Sequence, residues 1–216
     1  MKEELEICVR SLVPFNELYD DMIKKDFHEQ ENFVLNDIYL VNDDMEVSLE
    51  NEKAIFSNYV LIRETVGKRK MLVLKHKEVN ENGEIIKQES VKCPITDIYK
   101  AYDFMKAIGY KKLFEISDHN ILMSNGKNEI YIQDVKDIGT YVEMEQKNLL
   151  LENNNGDTID EMKNVLKEYD LKIDTSDYFV RKAYDVLKEN VWLWKIMWSF
   201  VKVLAKKIYI WYNLIV

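Results

Sequence analysis

Two stretches of the chain carry paired carboxylates one residue apart. Glu4-Leu5-Glu6-Ile7-Cys8-Val9-Arg10 alternates strictly, and Tyr141-Val142-Glu143-Met144-Glu145 repeats the pattern. Successive side chains of an extended strand point to opposite faces, so Glu4, Glu6, Cys8 and Arg10 share one face and Leu5, Ile7 and Val9 the other. Glu143 and Glu145 share a face in the same way. Further strand-like runs carry Arg63, Lys75, Lys77, Lys87 and Glu89. Carboxylates with no His beside them suit a hard cation such as Mg²⁺ or Mn²⁺. Lys and Arg suit phosphate oxygens, and Arg can hold them through two parallel hydrogen bonds. The combination points to a polyanion bound together with a divalent cation. No Walker A or Rossmann glycine pattern is present, so side chains would grip the anion in place of a Gly-rich loop.

The elements that must position these residues can be read from periodicity. After the first strand, Pro14 opens a helix over about 15–27, with Phe15, Leu18, Tyr19, Met22 and Ile23 at helical spacing. Strands are predicted at Phe33–Val41, Asn58–Glu64, Lys70–Glu78 and Glu84–Lys92, with a hairpin turn at Asn80–Gly83. A second helix, about 96–108, ends at Gly109. Strands follow at Lys111–Glu115, Asn120–Ser124, Glu129–Asp134 and Thr140–Gln146, with turns at Asn125-Gly126 and Asp137–Gly139. A polar loop at Glu152–Asp157 leads to an amphipathic helix from Thr158 to about Glu168. If such a sheet curls closed, its alternate charged residues point into one lumen, and buried ions there need partners.

The arrangement resembles the CYTH family, the triphosphate-tunnel enzymes that include class IV adenylyl cyclases, thiamine triphosphatases and inorganic triphosphatases. Glu4-Leu5-Glu6-Ile7-Cys8 fits the family's ExExK motif except at its last position. The likeness continues through Asp37-Ile38-Tyr39, Leu61-Ile62-Arg63, Leu72-Val73-Leu74-Lys75, Lys87-Gln88-Glu89, Ile108-Gly109-Tyr110 and the block from Ile132 to Glu145, covering about residues 2–188. It implies an α+β fold with a closed or nearly closed antiparallel β-barrel, the triphosphate tunnel, and helices packed outside. It assigns Glu4, Glu6, Glu143 and Glu145, with Asp134, to Mg²⁺ or Mn²⁺, and Arg63, Lys75 and Lys87 to the triphosphate, with Glu89 ordering these bases. Lys75, Arg63 and Glu89 are the catalytic candidates; Arg10 and Lys77 are further substrate-binding candidates on the strands.

The sequence departs from the family pattern at three places. The motif lysine is Cys8, the first arginine of the strand that ends at Arg63 is Leu61, and a basic pair expected after Gly109 is replaced around Glu115–Asn120 by acidic and neutral residues. Arg10, or Lys111 and Lys112, are the candidates to replace the missing cations. Two functions therefore stay open. One is a metal-dependent enzyme acting on a nucleoside triphosphate or other triphosphate, either cyclising ATP to cyclic AMP or hydrolysing a terminal phosphate. The other is a noncatalytic nucleotide- or polyphosphate-binding module.

Composition frames these readings. The 216 residues are 47% hydrophobic and 12% aromatic, enough for one core, with 6 Gly and 2 Pro. Two cysteines and three histidines make neither a disulfide framework nor a zinc site. The start has no signal-peptide core, so a cytoplasmic protein is expected. The net charge of −9 divides into −13 over 1–190 and +4 over 191–216, which carries Lys195, Lys202, Lys206, Lys207 and no acid. The acidic body argues against nucleic acid as a partner. All four Trp lie in 191–216, which reads as a basic amphipathic helix appended to the tunnel domain. Its apolar face would meet a membrane surface, the body, or a second subunit in a homodimer.

Overall fold

The computed structural model describes residues 2–3, 5–81, 85–145, 158–179 and 182–190. Glu4, the Gly83 end of the hairpin turn, the Glu152–Asp157 loop and the 191–216 tail lie outside the described residues. The elements run β1 (Lys2–Glu3), β2 (Glu6–Arg10), α1 (Phe15–Lys24), β3 (His28–Asn42), α2 (Glu52–Ser57), β4 (Asn58–Thr65), β5 (Arg69–Val79), β6 (Ile85–Ile95), α3 (Ile98–Ala107), β7 (Tyr110–Ser124), β8 (Glu129–Val135), β9 (Gly139–Glu145), α4 (Thr158–Glu168) and a last helical segment, α5 (182–190).

The strands form one antiparallel sheet in the order β1-β6-β5-β4-β3-β7-β8-β9-β2. It curls into a half-barrel that is open, where the sequence suggested a closed or nearly closed barrel. The two edges belong to neighbouring stretches of the N-terminus: β1 pairs with β6, and β2 pairs with β9. Backbone from the C-terminal half covers the other side of β2, with Cys8 N donating to Tyr178 O at 2.9 Å and Asp174 N to Arg10 O at 2.8 Å. This satisfies donors and acceptors that an edge strand would otherwise present.

Three apolar clusters hold the helices. Ile7 and Val9 on the convex side of β2 join Leu18 and Met22 of α1 and Met162, Val165 and Leu166 of α4. Leu40, Val60 and Ile62 pack under Met105 of α3, and the Asp97 side chain caps α3 by accepting from Tyr99 N and Lys100 N. These three helices lie outside the sheet, as expected. The other two do not: Phe56 of α2 and Val186 and Leu187 of α5 pack with Tyr39, Tyr59, Phe114 and Tyr141 of the sheet, and residues of α2 and α5 line the cavity described next. Among the described residues no helix is long and apolar enough to cross a membrane.

Candidate functional site

The concave side of the sheet encloses a cavity of about 170 Å³. Strand alternation decides which residues reach it. From β2 come Glu6 and Cys8, from β4 Leu61 and Arg63, from β5 Val73, Lys75 and Lys77, and from β9 Glu143 and Glu145. The register puts Glu6 opposite Glu145 and Cys8 opposite Glu143. As a result Glu6, Glu143 and Glu145 can each bring a carboxylate oxygen within 4.8 Å of the others. Three oxygen donors at that separation fit a hard divalent cation by both chemistry and spacing. Gln88, the cross-strand partner of Lys77, is fully buried and leaves both polar ends of its amide without a hydrogen bond.

Cations surround the carboxylates. Lys53, Arg63, Lys75, Lys77, Lys92 and Lys182 all line the cavity, against the acids Glu6, Asp118, Glu143 and Glu145. Lys77 lies 3.1 Å from Glu6 and Lys182 lies 2.9 Å from Glu143. Burial alone would raise the pKa of Glu6, but Lys77 and Lys75 outweigh it and hold the carboxyl well below the usual range. Burial would likewise lower Lys182, and Glu143 beside it reverses the sign. Lys75 has no ion-pair partner among the described residues, which leaves its ammonium group available. Arg63 is largely committed: Nε and one terminal nitrogen donate to the two oxygens of Asp37 at 2.8 and 2.6 Å, a bidentate pair between cross-strand partners. Asp118 accepts from Asn120 at 3.0 Å, and burial raises its pKa. Burial also pushes the Cys8 thiol up, so it is a neutral lining group.

Several sequence candidates fall elsewhere. Lys87 and Glu89 do not line the cavity; they form an ion pair at 3.4 Å on the other face of β6. The cause is a bulge: Val79 pairs with Ile85, yet Glu78 pairs with Lys87, so Ile86 is an extra residue. One inserted residue exchanges the two faces of the rest of the strand, which turns Gln88 and Ser90 inward. Asp134 is exposed on the outer face of β8, paired in register with Thr140, while its neighbour Gln133 lines the cavity. Arg10 also stays outside. It donates to Ile138 O at 3.0 Å, sits 3.6 Å from Asp185, and stacks over the Tyr141 ring, whose hydroxyl donates to Asp185 at 2.8 Å. Arg10 therefore anchors α5 to β9. Lys111 donates to the carbonyls of Asp43 and Met45, and Lys112 pairs with Glu115, so neither replaces a missing cation in the cavity.

The sequence reading missed Lys53, Lys92, Asp118 and Lys182. For Lys182 a signal existed. Phe179, Lys182, Ala183, Val186 and Leu187 form a helix-spaced apolar stripe with a lysine inside it, and a charge on a buried face needs a partner. It finds two, Gln133 and Glu143.

The fold is shared with solved structures. A protein from Pyrococcus horikoshii matches with a TM-score of 0.62 at 15% identity, covering 87% of this chain and 99% of that one. A conserved hypothetical protein from Pyrococcus furiosus matches at 0.59 and 18% identity, covering 81% and 97%. A "putative adenylate cyclase" from Vibrio parahaemolyticus matches at 0.58 and 12% identity, covering 87% and 98%. At these identities the likeness establishes the fold alone. No protein-family model and no curated protein matches the sequence.

Proposed function

We propose that the protein is a metal-dependent phosphoryl-transfer enzyme of the triphosphate-tunnel type, acting on a triphosphate held in the concave cavity. The observation that carries this reading is a reversal of charge: a chain with a net charge of −9 gathers six cations around a three-carboxylate cluster inside one cavity. Buried charge of both signs is costly as structure alone, and a polyanion with a divalent cation uses both. The fold it shares with a "putative adenylate cyclase" agrees with this reading.

In this reading Glu6, Glu143 and Glu145 hold Mg²⁺ or Mn²⁺, and the ExE spacing of the sequence adds Glu4 as a further candidate. When bound, the metal neutralises charge that develops on phosphate oxygens as a bond breaks. Lys75 and Lys77 on β5 hold phosphate oxygens, and Arg63 contributes the donors that Asp37 leaves unused. Among the described residues no histidine lines the cavity. Asp118, whose buried carboxyl has a raised pKa, is therefore the group suited to take a proton from the attacking hydroxyl or water. Attack by a ribose hydroxyl on the α-phosphorus gives cyclic AMP and pyrophosphate; attack by water gives hydrolysis.

A noncatalytic binding module is the second reading. It is favoured by the apolar Leu61 and Val73 and the neutral Cys8 in the cavity lining. Incubation with ATP, thiamine triphosphate and tripolyphosphate, each with Mg²⁺ or Mn²⁺, separates the two. The enzyme reading expects a phosphate, pyrophosphate or cyclic nucleotide product. Binding by calorimetry with no product from any substrate would leave only the binding module.

A further inference from the structure

A second hollow, of about 670 Å³, opens beside the last turn of α5, where Val186, Glu189 and Asn190 line it. Its origin is a mismatch of strand lengths. β7 pairs with β3 from Tyr110 to Ser124, but with β8 only from Asp118 onward. The last backbone bond on that side runs from Lys136 N to Ser117 O at 3.0 Å. Over Tyr110–Ile116 the second edge of β7 therefore has no ladder partner among the described residues, and the hollow lies against it at Glu115, Ile116 and Ser117. Ile98 and Tyr99 at the start of α3 also line the hollow, and Tyr99 is 79% exposed. An open strand edge beside exposed apolar side chains is a surface that proteins cover, commonly with a helix or loop.

The position and the spacing of the chain itself identify the cover. The described residues end at Asn190, in the lining of this hollow, and 191–216 follows directly. Continued at helical spacing, the α5 face made by Val186, Glu189 and Asn190 leads to Leu193, Trp194, Met197, Val201 and Leu204, which are all apolar. Lys195, Lys202 and Lys206 fall on the opposite side of that period. Charge agrees with this match. Asp137 and Glu189 in the lining form no ion pair among the described residues, whereas 191–216 carries lysines and no acid.

We propose that the hollow is the seat of the chain's own 191–216 segment, which lays its apolar stripe against the open edge of β7 and turns Lys195, Lys202 and Lys206 away from the body. The seat fixes the end of α5, whose first residues, Lys182 and Ala183, line the central cavity. It is independent of the triphosphate reading.

The test uses the full chain without vesicles. Because all four Trp lie in 191–216, tryptophan fluorescence reports on this segment alone. In the wild-type monomer, checked by sedimentation, acrylamide quenching should lie well below that of the unfolded chain. Tyr99→Asp should raise it towards the unfolded value; an acid in the first turn of α3 suits the helix, so the variant should fold. Phe104→Asp, on the same helix but outside the hollow, should leave quenching unchanged. Hydrogen exchange reads the seat from the other side: Leu193→Asp with Met197→Asp should speed exchange over Tyr110–Ile116, and Lys195→Asp with Lys202→Asp should not. Quenching in the wild type equal to that of the unfolded chain, or unaffected by Tyr99→Asp, would overturn the proposal, as would exchange over Tyr110–Ile116 that ignores Leu193 and Met197. Protection that vanishes on dilution together with a dimer would place a second copy there and also overturn it.

Discussion

Glu6 is ionised where burial alone would protonate it, because Lys77 and Lys75 face it. Its folded pKa lies below the ordinary 4.5, so its contribution to stability is present above that value and lost as pH falls. Acid titration of the melting temperature should therefore show a decline below about pH 4.5 that is flatter in Glu6→Gln; parallel curves would remove this pair as a stabilising element. Asp118 has the opposite sign. Burial raises its pKa, so its ionised form opposes folding at neutral pH, and Asp118→Asn should melt at a higher temperature while losing turnover. A variant that is both more active and less stable would contradict the role given to it. Arg63 presents a third case. Its bidentate bond to the buried Asp37 makes Arg63→Ala expensive, about 3–5 kcal/mol in chemical denaturation, because the carboxylate is left unpaired.

At the scale of elements, the inner face of each strand decides chemistry, and β6 shows how little it takes to move it. On strict alternation Lys87 would sit opposite Lys77; the extra Ile86 puts Gln88 opposite it instead. Lys87→Ala and Glu89→Ala should thus leave tripolyphosphate affinity unchanged, while Lys77→Ala weakens it. Weakening by the β6 variants would place the bulge elsewhere. The bulge was illegible because Ile85-Ile86-Lys87 reads equally well in either register. Strands with continuous alternation were legible: Glu6 and Arg10 of β2, Lys75 and Lys77 of β5 and Glu143 and Glu145 of β9 share faces as their spacing predicts, although Arg10 turns from the cavity at the strand end. So was α4, whose bounds Thr158–Glu168 match its helical period. β7 was read as two strands because Glu115 and Asp118 interrupt its apolar pattern. It is in fact one strand of 15 residues, with Phe114, Ile116 and Asp118 all buried. α2 and α5 were missed, α2 for its six residues and α5 because its stripe holds a lysine.

The whole molecule separates its charges. An acidic exterior encloses a cavity with more cations than acids, which favours a compact anion over nucleic acid and makes binding sensitive to salt. The 191–216 segment is basic and Trp-rich in sequence, and we propose that it contacts an anionic membrane surface. Full-length protein should float with anionic vesicles, and a variant with Lys202, Lys206 and Lys207 changed to Glu should not; equal flotation would remove the membrane reading. The central claim, that the cavity binds a triphosphate through its lysines, is tested most directly at Lys75, whose ammonium has no ion-pair partner among the described residues and whose loss should disturb the fold least. Calorimetric titration of tripolyphosphate in saturating Mn²⁺ should show binding to wild type and affinity about tenfold to a hundredfold weaker in Lys75→Ala. Equal affinities, or no binding to the wild type, would contradict it.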